Sequence, residues 1–148
     1  MHKVIFSVLF VVIFVLSGIA HTAEKVKPTT CKVCNMKINE SDNKYAVYVL
    51  EGIEPSAFDD IGCAVKWYNE ECAMRQSAFD NYAIVHDYAS GEPLPAEKAF
   101  YVSGQEIKTP MGYGIVAFKT KDQAQKFANE RETARVLNYQ EVSSLKLK

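Results

Sequence analysis

Two stretches of the chain repeat one pattern of apolar and polar positions. AFDDIGCAVKWYNEE begins at Ala57 and AFKTKDQAQKFANER at Ala117, an offset of 60 residues. At that offset they share Ala57/Ala117, Phe58/Phe118, Ala64/Ala124, Lys66/Lys126, Asn69/Asn129 and Glu70/Glu130, and Trp67 faces Phe127. Their flanks match in the same order. AVYV at Ala46 echoes AFYV at Ala99, and YAIVHDY at Tyr82 and ARVLNYQ at Ala134 are both strand-like. Self-similarity at a fixed period marks duplicated units. Alternation of apolar and polar residues, rich in Val, Tyr and Phe, predicts strands. Each half therefore reads strand, strand, helix, strand.

Local signals place the helices. Asp59 or Asp60 is a good N-cap for the first. Thr120 opens the second, and Gln123 three places on predicts a capping box. Ala124, Phe127 and Ala128 form its buried stripe. Ser, Gly and Pro in YASGEPLP, Tyr88 to Pro95, mark a connector. The expected fold is α+β, two tandem ββαβ modules at 44–90 and 96–143. Residues 91–95 join them, and an arm over 24–43 precedes them.

The chain begins differently. Lys3 precedes a 17-residue apolar run, Val4 to Ala20, ending in small residues. This describes a secretory signal peptide cut after Ala20, or after Ala23. An uncleaved anchor is the alternative, although the run falls short of the roughly 20 residues that span a bilayer. Export predicts a periplasmic or other extracytoplasmic protein, touching the inner membrane only if the segment is retained. Export also places the four cysteines where disulfides can form.

Composition narrows the function. Losing Lys3 leaves 16 basic against 18 acidic residues, a formal charge of −2. That balance lacks the basic stripe a nucleic-acid partner requires. About 125 mature residues can bury a core without staples, which frees the cysteines for chemistry. No nucleophile–base constellation is present, so an enzyme is not expected.

The chemistry concentrates in CKVCNM, Cys31 to Met36. A c-type haem site needs His after the second Cys, where Asn35 stands. A zinc clasp needs a second ligand pair. Cys63 and Cys72 are nine apart on one predicted helix, about 13 Å along its axis, and point to opposite sides; both read as small buried residues. A thioredoxin-like pair belongs at the start of a helix after a strand, whereas this one precedes every strand. Thiolate and thioether are soft ligands that select Cu(I), and Cys34 and Met36 share one side of an extended strand. Met111, displayed in the Pro- and Gly-rich loop KTPMGYG, is a candidate third ligand. Spacing alone leaves a copper site and a Cys31–Cys34 disulfide both open. Asp59 and Asp60 read as helix caps, without acid–base work.

Taken together, CxxCxM, FDDIGC at Phe58, AFYVSG at Ala99, TPMGYGIVAF at Thr109 and VLNYQEV at Val136 resemble the NosL family, the nitrous oxide reductase accessory proteins. The resemblance covers nearly all of the mature chain. It implies two related ββαβ units in an exported metallochaperone carrying one Cu(I) per chain. It also implies a copper-accepting enzyme as partner, nitrous oxide reductase or another exported cuproenzyme, and room for an upstream copper donor. The ligands it implies are Cys34, Met36 and Met111; Cys31 is a spare ligand or a redox partner of Cys34. The chain departs from the family in lacking a lipid-bearing Cys and in placing Asn35 where Gly is usual. Asn tolerates the left-handed backbone such a turn needs. The rival expectation is a thiol–disulfide oxidoreductase or redox sensor using Cys31 and Cys34, for which both methionines are dispensable.

Overall fold

The computed structural model describes residues 27–52 and 54–148; the expected signal peptide or anchor, its cleavage points and the first residues of the arm lie outside them. Antiparallel pairing organises the rest. The first sheet comprises β1 (Val47–Val49), β2 (Ser56–Phe58), β3 (Ala83–His86) and β4 (Pro93–Pro95), in the order β2-β1-β3-β4. The second comprises β5 (Phe100–Ser103), β6 (Ile115–Phe118) and β7 (Arg135–Leu137), in the order β6-β5-β7. In both, the first strand sits between the second and the strand that follows the helices.

The helices are α1 (Ile61–Glu70), α2 (Ala73–Tyr82), α3 (Lys121–Asn129) and the short α4 (Tyr139–Ser143). Asp60 caps α1, its carboxylate accepting from the Gly62 N–H. Thr120 caps α3 by accepting from the Gln123 N–H, and the Thr120 hydroxyl donates to Gln123 Oε1. Each cap satisfies a backbone donor that the helix start leaves without an internal partner.

Three elements depart from the sequence expectation. One long first helix was expected to carry both Cys63 and Cys72. Instead α1 stops at Glu70 and Cys72 stands exposed at the N-cap of the separate helix α2. Pro93–Pro95, placed in the connector, adds β4 to the first sheet. Its prolines fit because an edge strand need not donate outward. The strand read through Gln140 stops at Leu137, and Asn138 and Glu141 form a capping box that starts α4.

Period-two alternation divides the second sheet between two cores. Tyr101, Ile115 and Ala117 face a core shared with Val47, Phe58, Ile61 and Phe79. Val102, Val116 and Phe118 face Ala124 and Ala128 of α3. The Phe58, Trp67 and Phe79 rings pack with centroids 5.4 to 6.3 Å apart, a separation at which aromatic pairs attract beyond their area burial. The sheets also meet directly. Asp87 bridges to Ala117 in parallel, the Tyr88 N–H donates to the Ala117 carbonyl at 2.8 Å, and the Asp87 carboxylate accepts from the Lys119 N–H at 2.9 Å. Among the described residues no helix is long and apolar enough to cross a membrane.

Candidate metal centre

The arm, expected as a loop or irregular segment, is a closed turn, and not the extended strand on which Cys34 and Met36 would share one side. Thr30 bridges to Lys37, the Cys31 N–H donates to the Met36 carbonyl at 2.9 Å, and the Asn35 N–H donates to the Cys31 carbonyl at 3.1 Å. Asn35 closes it with φ +61°, the left-handed conformation that Asn visits more readily than most residues. The turn is tied to the fold where the Lys32 N–H reaches the Ala57 carbonyl at 2.9 Å and the Lys32 ammonium meets Glu54 at 2.8 Å.

This folding carries Cys31 inward and leaves Met36 outside. Cys31 is 1% exposed and Met36 48%, with Cys34 between those extremes. The Cys34 thiol donates to Asp59 Oδ1 at 3.3 Å. Beneath lies Cys63, in the first turn of α1 and buried. One ligand atom from each of Cys31, Cys34, Asp59 and Cys63 lies within 4.8 Å of every other. All four cysteines are free thiols. The second Asp59 oxygen, Oδ2, is buried without a hydrogen-bond partner.

The neighbouring Asp60 ties in the second half of the chain. Its Oδ1 accepts from the Gly62 N–H at 2.7 Å and its Oδ2 from the Met111 N–H at 3.0 Å. The loop carrying Met111 thus lies one residue from the carboxylate that holds Cys34. Gly112 and Gly114 take φ of +73° and +66°. At Gly114 a Cβ would stand 2.2 Å from the Gly104 carbonyl oxygen, so that position admits only glycine. Met111 projects from this loop, 37% exposed.

The thiols differ in acidity. A hydrogen bond from Cys63 stabilises the Cys31 thiolate, lowering its pKa to about 6 although burial opposes this. Donation to Cys31 and burial drive the Cys63 pKa well above the ordinary thiol range. Burial raises Cys34 to about 11. Of the three thiols, Cys31 therefore ionises first, its thiolate held by the Cys63 S–H. Burial also raises Asp60, against the stabilising bonds from Thr109, Gly62 and Met111.

The sequence named Cys31, Cys34, Met36 and Met111 as candidates. The structure gathers the two thiols at one point and sets both thioethers on the surface. It adds Cys63 and Asp59, which the sequence had read as core filler and helix cap. One signal was available: a helix start has room for one N-cap residue, so Asp59 beside Asp60 was left without a task.

Fold and site together define an α+β protein with a thiol-rich centre suited to a soft or borderline metal ion. The NosL family model matches residues 23–146, and the chain belongs to the NosL family. The structure is similar to the crystal structure of the copper chaperone NosL from Shewanella denitrificans, with a TM-score of 0.55 and 17% identity, over 80% of this chain and 92% of that one. At that identity the likeness concerns the fold. No curated protein matches the chain significantly.

Proposed function

We propose that this chain binds one Cu(I) through sulfur ligands and delivers it to an exported copper enzyme, of which nitrous oxide reductase is the first candidate. The observation that carries the reading is the pairing of a half-buried thiol, Cys34, with two thioethers held at the surface. Met36 stands exposed on the arm turn beside Cys34, and Met111 on the loop fastened to Asp60, next to the Asp59 that holds the Cys34 thiol. Soft donors exposed on a turn and a loop fit an ion that must be both held and released. Family membership and the likeness to a copper chaperone point the same way.

In this reading Cys34, Met36 and Met111 ligate the ion. Deprotonation of Cys34 accompanies binding, because the thiolate is the ligand. Asp59, which accepts the Cys34 proton in its hydrogen bond, orients the sulfur. Release follows ligand exchange, as an acceptor thiolate, thioether or imidazole displaces one thioether at a time. The N-terminal segment acts as the export signal and the protein works outside the cytoplasm. The matching strand orders of the two sheets support an origin by duplication of a ββαβ unit.

The oxidoreductase alternative is poorly served by the thiol geometry. An attacking cysteine must be both ionised and accessible. Here the acidic thiol, Cys31, is buried, while the more accessible Cys34 is held protonated.

An anaerobic Cu(I) titration of the reduced protein against a colorimetric chelator tests the proposal. One tight equivalent is expected. Cys34→Ser, Met36→Leu and Met111→Leu should each weaken it by more than the roughly 10- to 100-fold typical of losing an outer-shell partner. Binding indifferent to both methionine changes would refute it.

A further inference from the structure

We infer that the surface carrying Met36 and Met111 is a docking face for a protein that presents acidic side chains around an apolar centre. The inference rests on the copper reading in taking that partner to be the protein that receives the ion. Among the described residues five large apolar side chains stand exposed, and three of them, Val33, Met36 and Met111, belong to this face. Val33 and Met36 sit on one closed turn. Met111 is brought to that turn because consecutive carboxylates fasten both segments: Asp59 accepts from the Cys34 thiol and Asp60 from the Met111 N–H. Two residues beyond Met111, the Tyr113 ring lies against Gly62 at the start of α1. So small an apolar centre suits a transient contact, since permanent interfaces are larger and more hydrophobic.

Charge says which partner fits. Lys37 follows Met36, Lys108 opens the loop that carries Met111, and the Lys66 ammonium stands 6.0 Å from the centre of the Tyr113 ring. None of these three lysines forms an ion pair among the described residues, whereas Lys32, on the same turn as Met36, is neutralised by Glu54. The acids of this region offer little to a partner. Asp59 and Asp60 are 5% and 0% exposed and accept hydrogen bonds from within the fold. Glu40 and Glu70, the next acids beyond Lys37 and Lys66 in sequence, pair with neither lysine. The whole chain carries 17 basic against 18 acidic residues, so the positive excess is local to this face. Unpaired ammonium groups around an apolar centre draw in opposite charge over a Debye length of about 8–10 Å, and they raise the rate of encounter more than the final affinity. An anionic membrane is bound by larger clusters, about four to eight basic residues.

Two synthetic peptides serve as probes, each with a methionine pair beside a fluorophore that Cu(I) quenches, one flanked by glutamates and the other by lysines. At low salt, transfer from the copper-loaded protein to the glutamate peptide should be at least about tenfold faster, and the difference should close as salt shortens the Debye length toward about 3 Å. Lys37→Glu, Lys66→Glu and Lys108→Glu made together should reverse the preference and leave the equilibrium Cu(I) affinity nearly unchanged. The same change of charge at Lys98, Lys121 and Lys126, exposed elsewhere, should preserve the preference. Equal rates for the two peptides, or a preference that the second triple change removes as fully as the first, overturns the inference. Sedimentation with phosphatidylserine but not phosphatidylcholine vesicles, lost in the first triple change, assigns the face to a membrane and overturns it too. The two readings fail separately. Anisotropy of the same peptides on metal-free protein reports the face even where Cu(I) binding is indifferent to the methionines. Methionine-dependent Cu(I) binding with no preference between the peptides leaves only the copper reading.

Discussion

Asn35 shows how one backbone angle sets up the chemistry. Its positive φ folds the arm so that Cys31 points into the protein while Met36 stays in water. A residue with an ordinary Cβ meets a cost of about 1–2 kcal/mol in the left-handed region, which Asn softens and Gly escapes. Asn35→Ala should therefore lower unfolding free energy by about 1 kcal/mol, and Asn35→Gly should leave it nearly unchanged. Urea denaturation with a common m-value distinguishes the two. The angle was readable from the residue type, because Asn stands where a glycine-like turn is needed. Cys63 and Asp59 were not readable. A cysteine in the first turn of an amphipathic helix looks like core, and an acidic residue before a helix looks like a cap. Only a contact across 25 residues, Cys34 to Asp59, sets Asp59 apart from a plain helix cap.

Among elements, the junction between α1 and the Met111 loop is the tightest. Gly62 lies in the first turn of α1, and a Cβ there would sit 2.1 Å from the Tyr113 ring. The helix start and the loop touch because Gly62 has no side chain. Gly62→Ala forces the ring or the loop aside, an overpacking expected to cost about 1–3 kcal/mol. Adding Tyr113→Ala should recover part of that loss, and thermal unfolding of both single variants and the double variant measures the coupling. The caps at Asp60 and Thr120 were legible because capping chemistry is local. The break between α1 and α2 was not. No Gly or Pro marks Glu71 and Cys72, and α2 buries only Phe79, so its apolar stripe is too thin to announce a separate helix.

Across the whole molecule, the seam between the sheets hangs largely on Asp87. Burial alone would raise its pKa, but the Ser90 hydroxyl and the Lys119 and Ser90 amides outweigh that and leave it below the ordinary carboxylate value. The unfolded chain therefore takes up this proton first as pH falls. The stabilisation is complete above the unfolded value, near pH 4, and is lost as pH drops through the lower folded value. In Asp87→Asn that part of the acid slope should vanish, with lower stability already at neutral pH. Denaturation midpoints measured from pH 2.5 to pH 7 would show both effects, and an unchanged slope would mean that the seam does not depend on the charge. The strands of each half were legible from alternation, their pairing was not. The seam was not, since a single parallel bridge leaves no periodic trace in sequence.

The Asp60 carboxylate joins residues read far apart in time. One oxygen holds the start of α1 and the other holds Met111, 51 positions later. A ribosome that has made the arm and the first helix has therefore made the thiols but not the loop that completes their surroundings. Until residue 111 is out and β6 is paired, the nascent chain carries clustered thiols without their roof. A message cut short before that loop would yield a fragment with the arm thiols and α1 but without the Met111 N–H that the Asp60 carboxylate accepts from.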